Sequence, residues 1–458
     1  MKSLVLFLLF VIACTPPRRP LPPPPPPLAG EIVFRNVNVV PMTADTVLAQ
    51  QDVVARGGII TAMGSSGSLA WSDSALVIDA TGKYLLPGLA EMHAHVPPEN
   101  DLEPMQEVLL LFALNGVTTI RGMLGHPRHL ELRTKISNGE IFGPRLYTAG
   151  PAIAGDDIQT PEKARSEVLA QKEAGYDFLK ILMPALSKEA FDAVVATAHE
   201  VKIPFAGHVP GTVGVRGAIE AGYATIDHLD GFVESLVPGI ENMNWDDVGL
   251  FGMFVANQAD TTGIPALVQR LHEQQIWVVP TQCLAERWFA PGDVSDAFMG
   301  APEMVYMDAD ELKEWSDMRE QIVHSARYDS AELEVFRRIR KQLVYECNRN
   351  GVGLLLGSDA PQVFNVPGFS AHHELQYLVD AGLTPYEALR SGTANVGRFW
   401  ARADLGLVKT GAVSDLILLS GNPLKDISNT RRIEGVLLGN RWMSGVFIAE
   451  TFKKLEKR

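Results

Sequence analysis

Apolar positions follow two rhythms along this chain. Between residues 31 and 78 they come in short runs: Ile32-Val33-Phe34, Val37 to Val40, Val53-Val54, Ile59-Ile60 and Leu76 to Ile78. Gly57-Gly58 and the Gly64-to-Ser68 cluster separate them, which predicts a small, mostly antiparallel β unit. Beyond Pro87-Gly88 short apolar strands alternate with helical stretches. A strand ends in His93-Ala94-His95, and others follow at Val117 to Ile120, Arg145 to Thr148, Phe178 to Ile181, Pro204 to His208, Ala224 to His228, Ile276 to Val279 and Gly353 to Leu356. Helical patterns over 161–174, 188–201 and 214–221 separate several of them. Eight such β units predict an α/β fold, a (β/α)8 TIM-like barrel.

Two connections are long, 229–275 and 282–351, the second acidic around Asp308 to Asp317. Insertions after barrel strands sit on the catalytic face, so these are candidate lids or extra packing layers. After the barrel, Asp415 to Leu419 and Val436 to Asn440 read as β again. The expected organisation is a barrel over 83–400 and a small β-sandwich-like domain built from both chain ends, 30–82 and 401–458.

The N-terminus adds a different signal. Lys2 precedes the apolar run Leu4 to Ala13, too short to span a bilayer, which takes about 20 residues. The run ends Val11-Ile12-Ala13-Cys14 and resembles the bacterial lipoprotein box, so residues 1–14 read as a signal peptide ending at a lipidated Cys14. Residues 15–29 are a proline-rich linker, expected as a polyproline II spacer at about 3.1 Å per residue. The expected location is the bacterial cell envelope, lipid-anchored, with a soluble catalytic body. Composition narrows the partners. The net charge is −14 and no basic run appears, which argues against nucleic acid. Three cysteines, Cys14, Cys283 and Cys347, are too few for a disulfide scaffold.

The chemistry lies where the strands end. Residues two apart on a strand share a side, so His93 and His95 present two imidazoles together. Lys180 lies in the fourth β unit, His208 and His228 end the fifth and sixth, and Asp359 follows the eighth. Barrel strands converge at their carboxyl ends, so these six side chains point at one volume. Four imidazoles and a carboxylate suit zinc or a similar divalent ion. A protonated Lys180 would be repelled there, so it stays out of the site or becomes a CO2-derived carbamate able to bridge two metals about 3.5–4 Å apart. Arg121, ending the second strand, is a candidate for a substrate carboxylate or a structural ion pair. Glu91 is placed to support His93. His372-His373-Glu374 is no His-Glu-x-x-His motif and reads as a helix-surface pair, with a supporting role behind the metal ligands as the alternative, and Cys283 as a packed thiol.

With these motifs in view, the sequence resembles the amidohydrolase superfamily, in the branch of imidazolonepropionases and bacterial prolidases. The resemblance runs from about Glu31 to Met443 and rests on Pro87-Gly-Leu-Ala-Glu-Met-His-Ala-His95, Gly116 to Arg121, Thr225-Ile-Asp-His228, Gly357-Ser-Asp359 and Ala381-Gly-Leu-Thr-Pro385. It implies two zinc ions: His93, His95 and Asp359 on the first, His208 and His228 on the second, and carboxylated Lys180 as the bridge. It further implies a hydrolase in which a metal-bridging hydroxide attacks a carbonyl, with Asp359 as the catalytic acid–base, cleaving an amide in a small molecule. Deaminases of the superfamily place a Glu three residues after the fifth-strand His; this chain has Gly211 there. Similar dipeptidases often carry a Tyr three residues after the sixth-strand His, and here that position is Gly231. Dipeptides, N-acyl amino acids, cyclic amides and lactones or esters therefore all stand as substrates. No Gly-x-Ser-x-Gly elbow supports a serine hydrolase. The rival of a different class is an inactive envelope binding protein on the same barrel, and a homo-oligomer is possible.

Overall fold

The computed structural model describes residues 20–183, 185–292 and 294–457. The expected signal segment and Cys14 lie outside these residues.

The first apolar runs form β1 (Ile32–Val39), β2 (Leu48–Arg56), β3 (Ile59–Ser65), β4 (Leu76–Asp79) and β5 (Tyr84–Pro87). β1 to β3 pair antiparallel. Gly57 and Gly58 turn β2 into β3 with φ of 59° and 81°, the two positive values a tight type I′ hairpin requires. β4 and β5 pair with β1 in parallel.

The barrel follows as β6 (Leu89–Ala94), β7 (Val117–Gly122), β8 (Arg145–Thr148), β9 (Leu179–Ile181), β10 (Phe205–Gly207), β11 (Thr225–Asp227) and β12 (Trp277–Val279). These pair in parallel as β6-β7-β8 and β9-β10-β11-β12. Bridges from Ala149 to Phe178, Val278 to Leu354 and Ala94 to Ala360 close the ring. The eighth unit is thus a bridged segment rather than a regular strand. Its flanking glycines explain this: a β-carbon at Gly353 would lie 2.1 Å from the Trp277 ring, and one at Gly357 2.9 Å from His93. The segment still shares ladder bonds with β12, the Val278 N–H donating to the Gly353 carbonyl and the Leu355 N–H to the Val278 carbonyl, each at 2.9 Å, and glycine at its ends admits the close approach. The connecting helices Pro161–Ala174, Lys188–Val201 and Gly214–Ala221 fall where the pattern placed them. Thr160 caps the first through the Lys163 N–H, and Gly175 ends it in the left-handed region at φ 85°. Residues such as Leu179, Ile181, Phe205, Ile226 and Val278, which alternate with the site-facing positions, turn toward the helices and are buried with them in one continuous core.

The chain then returns to the small domain as β13 (Leu416–Leu419), β14 (Ile433–Leu438) and β15 (Arg441–Ser444). β13 pairs antiparallel with β5, giving one mixed sheet in the order β15-β14-β13-β5-β1-β2-β3, with β4 on β1. The sheet folds over itself, so Phe34 on β1 meets Trp442 on β15 at 5.4 Å. Ile32, Phe34, Val53, Leu85, Leu416 and Leu418 fill the space between, a sandwich made from a single sheet. Gly88 joins this domain to β6.

The long insertions pack as short helices over the barrel. Arg319, buried on the helix Ala309–Val323, donates to the carbonyls of Trp288 at 2.9 Å and Ala290 at 2.8 Å. The proline-rich segment departs from the expected free spacer. From residue 20 onward it lies on the body: the Leu28 N–H donates to the Asn440 carbonyl at 2.8 Å, Arg441 donates to the Pro25 carbonyl at 2.6 Å, and Leu21 packs by Leu110 and Ile448. Polyproline has no internal hydrogen bonds, so its carbonyls are free to take such donors. Among the described residues no helix is long and apolar enough to cross a membrane.

Candidate metal centre

His93 is buried at the end of β6, and His95 follows it, half-buried, on the same side. Their Nε2 atoms lie 3.2 and 2.6 Å from one oxygen, Asp359 Oδ1. One ligand atom from each of these three residues lies within 4.8 Å of the others. Asp359 reaches this position from a left-handed backbone, φ 67°. An aspartate tolerates that region better than most residues, yet it costs energy and persists only where the surroundings impose it. The surroundings do: the Asp359 N–H donates to the His93 carbonyl at 3.0 Å. Next to it, Ser358 donates its N–H and its Oγ to the Glu91 carboxylate, each at 2.7 Å. Burial pushes the Glu91 carboxyl up to about 8.

Each imidazole is oriented by a partner behind it. His93 Nδ1 stands 2.9 Å from Asp227 Oδ2, which makes Nδ1 the protonated nitrogen and leaves the Nε2 lone pair facing Asp359 and Lys180. His208 Nδ1 stands 3.0 Å from Asp230 Oδ2, which also accepts the Val209 N–H. His228 Nδ1 lies 2.9 Å from Thr281 Oγ1, and its backbone is left-handed at φ 63°. The ring centroids of His93 and His208 lie 4.4 and 4.6 Å from that of His228. Burial, then the charge of neighbouring groups, holds the His93 and His228 imidazoles well below their usual value, so both are neutral. Neutral imidazole is the ligand form.

Lys180 completes the cluster. Its Nζ lies 3.5 Å from His93 Nε2, and burial lowers the amine to about 8. Its stem runs past Gly207, where φ is 114° and a β-carbon would lie 2.6 Å from Lys180 Cδ. Only glycine leaves that passage open.

The structure brings His93, His95, Lys180, His208, His228 and Asp359 to one end of the barrel. It does not give Arg121 to a substrate. That guanidinium is buried and donates to both Asp227 oxygens at 3.3 and 3.2 Å, to Thr225 Oγ1 at 3.1 Å and to the Met92 carbonyl at 2.6 Å. Of the two expectations for Arg121, the structure shows the ion pair, which braces the His93 partner. His372 and Glu374 are no surface pair either. His372 is buried between Thr430 and the Asn115 carbonyl, and Glu374 accepts the Gln282 N–H at 3.0 Å and that of Cys283. Cys283 is a packed thiol, its Sγ 2.9 Å from Asn365 Oδ1.

Sequence reasoning passed over Asp227, Asp230, Thr281 and Arg340. The first two had a local signal, since Asp227 and Asp230 flank His228 and alternation turns Asp227 away from it. Arg340 had none. The donor set fits a divalent metal ion: neutral imidazoles, one shared carboxylate, and acids or a hydroxyl fixing the second ring nitrogens.

The model of the family described as "Amidohydrolase family" matches residues 84–443. Among curated relatives, an adenine deaminase of Chelativorans sp. (strain BNC1) is 27% identical over 200 residues, 40% of this chain and 32% of that protein. Ochratoxinase of Aspergillus niger is 22% identical over 363 residues, 68% of this chain and 62% of that protein. The chain thus spans less than two thirds of either relative. The crystal structure of a Xaa-Pro dipeptidase with bound methionine has the same fold, with a TM-score of 0.65 at 20% identity, covering 91% of this chain and 100% of that one. A family model that spans the chain from β5 through β14, the whole barrel included, together with this ligand geometry, settles the affiliation: the chain belongs to the amidohydrolase family.

Proposed function

We propose that this chain is a metal-dependent hydrolase that cleaves an amide bond in a small molecule. The observation that carries the reading is the convergence of His93, His95 and Asp359, with Lys180, His208 and His228 around them. His93, His95 and Asp359 would hold one ion and His208 and His228 a second, with Lys180 as a carbamate between them. The Lys180 amine supports this, since at about 8 a sizeable fraction is neutral and able to add CO2. When bound, such ions supply Lewis acidity, polarising a carbonyl and making water a better nucleophile. The chain's own groups do the rest. Asp359 takes the proton of the attacking water and returns it to the leaving nitrogen, a transfer that needs one carboxylate within reach of both. Its left-handed backbone and the Glu91–Ser358 clamp hold that carboxylate in place. Asp227, Asp230 and Thr281 keep the imidazoles in fixed orientations.

The test uses the full soluble body loaded with zinc or manganese. Bound metal near two equivalents and hydrolysis of N-acyl amino acids or dipeptides are expected. Lys180→Ala should lose activity, and short carboxylic acids should restore part of it by standing in for the carbamate. Absence of bound metal with no response to added metal overturns the hydrolase reading; full activity in Lys180→Ala overturns the bridge. We also propose export and tethering through lipidated Cys14. Cys14→Ser should then move the protein from the membrane to the soluble fraction.

A further inference from the structure

Three large apolar side chains stand exposed in the loops beside the metal ligands. Met183, two residues past β9, is 48% exposed, and Trp245 and Leu250, in the insertion after β11, are 45% and 42% exposed. These loops are contiguous. Thr212 Oγ1, past β10, donates to the Leu186 carbonyl past β9 at 3.3 Å. The Trp245 indole lies against Gly211, three residues beyond His208, so closely that a β-carbon there would be 2.9 Å from the ring. Leu250 is followed by Phe251, whose ring lies near-parallel to His208 at 6.2 Å and to His228 at 5.4 Å. Phe251 takes a left-handed φ of 58° to do so. Phe251 therefore carries apolar surface from two candidate ligands to its exposed neighbour Leu250, and Trp245 covers the loop just beyond one of them.

Several cations near the site are already engaged, although Arg216, on the helix after β10, stands exposed. Arg327 is bound to Asp247, its guanidinium 3.1 Å from both the carboxylate and the carbonyl. Arg121 is held by Asp227, and Arg340 by the carbonyls of His228 and Pro280. The residues after His228, Asp230 and Glu234, are acidic. Exposed apolar surface continuous with a reactive site is what an apolar substrate group needs, and isolated exposed apolar residues would not be continuous.

We infer that the loops after β9, β10 and β11 form an apolar shelf that seats a bulky alkyl or aryl group of the substrate, so that this chain prefers N-acylated, apolar amides over short dipeptides. The inference rests on the amide-hydrolase reading. Ordinary packing of the insertion accounts for Phe251 but leaves the half-exposed Met183, Trp245 and Leu250 unused.

The test compares kcat/KM for N-acyl-alanines from acetyl to octanoyl, with glycyl-alanine alongside. For the wild type kcat/KM should rise roughly threefold per added methylene, mainly through KM. In Met183→Ser/Trp245→Ala the octanoyl-to-acetyl ratio should fall at least about tenfold. Val446→Ala, a change at an exposed site on the C-terminal helix, should keep the wild-type ratio. A flat wild-type series, or the same slope in the double variant, overturns the shelf. If no compound in either series is hydrolysed, N-acyl-alanines and this dipeptide are not the substrates, and calorimetry with acetyl and octanoyl hydroxamates still decides the shelf: tighter octanoyl binding lost in the double variant supports it, and equal binding of both overturns it.

Discussion

Arg340 donates to the backbone carbonyl of His228 at 2.6 Å across 112 residues of sequence. The same guanidinium reaches the Pro280 carbonyl at 2.8 Å and Gln282 Oε1 at 3.1 Å. It thereby ties the helix Ser330–Arg349 to the ends of two barrel strands, one carrying His228 and the other leading to its partner Thr281. His228 sits in the left-handed region, and its peptide groups are held by this bond and by its own N–H donating to the Val279 carbonyl at 2.8 Å.

Replacing Arg340 with lysine should therefore act on the metal centre from a distance. Lysine keeps a charge but cannot fork to three acceptors. Loss of a group that orients a ligand typically costs 10–100-fold in metal affinity. The weaker of two binding steps, measured by chelator competition, should drop by about that factor, with kcat falling alongside. Burial lowers the Arg340 guanidinium only to about 10, so it remains a cation at neutral pH and the loss should not depend on pH between 6 and 8. A lower melting temperature with unchanged metal affinity would make Arg340 a purely structural residue.

The Arg121–Asp227 pair carries a different prediction. Both side chains are buried, and Asp227 also receives the Thr225 hydroxyl at 2.7 Å. Removing one partner of a buried pair strands the other, at about 3–5 kcal/mol. Arg121→Ala should thus unfold at markedly lower denaturant and bind metal less tightly through a loosened His93. Its relative kcat/KM for substrates with and without a carboxylate should stay as in the wild type. A selective loss on carboxylate-bearing substrates would return Arg121 to substrate binding.

These two residues mark how far the sequence could be read. The ends of eight β units, the helices over 161–174, 188–201 and 214–221, and the return of the chain to its first sheet were legible because each leaves a local, periodic trace. So were the six candidate ligands, since a barrel converts strand-end positions into one site. The far end of a hydrogen bond leaves no such trace. Arg121 stood open between substrate and ion pair because nothing near it in sequence announces Asp227, 106 residues on. The proline run read as a free spacer because its partners, Asn440 and Arg441, lie at the other end of the chain. The eighth strand was expected to be regular, whereas it is a short bridged segment with glycines where Trp277 and His93 approach closely.

A last relationship links the second insertion to the helix after Asp359, and it is sensitive to acid. His373, on the helix Phe369–Asp380, stands 2.8 Å from Glu303 Oε1, and Arg431 lies 3.0 Å from its Nδ1. Arginine can only donate, so Nδ1 accepts and the neutral ring gives its Nε2 proton to Glu303; burial, which lowers the His373 pKa, favours that form. Burial alone would raise the Glu303 carboxyl, but the His373 bond, a backbone hydrogen bond and the charge of Arg287 bring it down to about 2, from 4.5. Between those values the unfolded chain binds a proton that the folded one does not, so the stability Glu303 contributes falls as pH falls. It is complete above about 4.5 and gone near 2. Glu303→Gln removes the charge while keeping the size. In urea titrations the variant should be less stable at pH 7 by about 2 kcal/mol, and the two curves should converge as pH drops from 5 toward 2. Curves that stay parallel through that window would mean that Glu303 titrates normally and that the insertion is held to this helix by apolar packing alone.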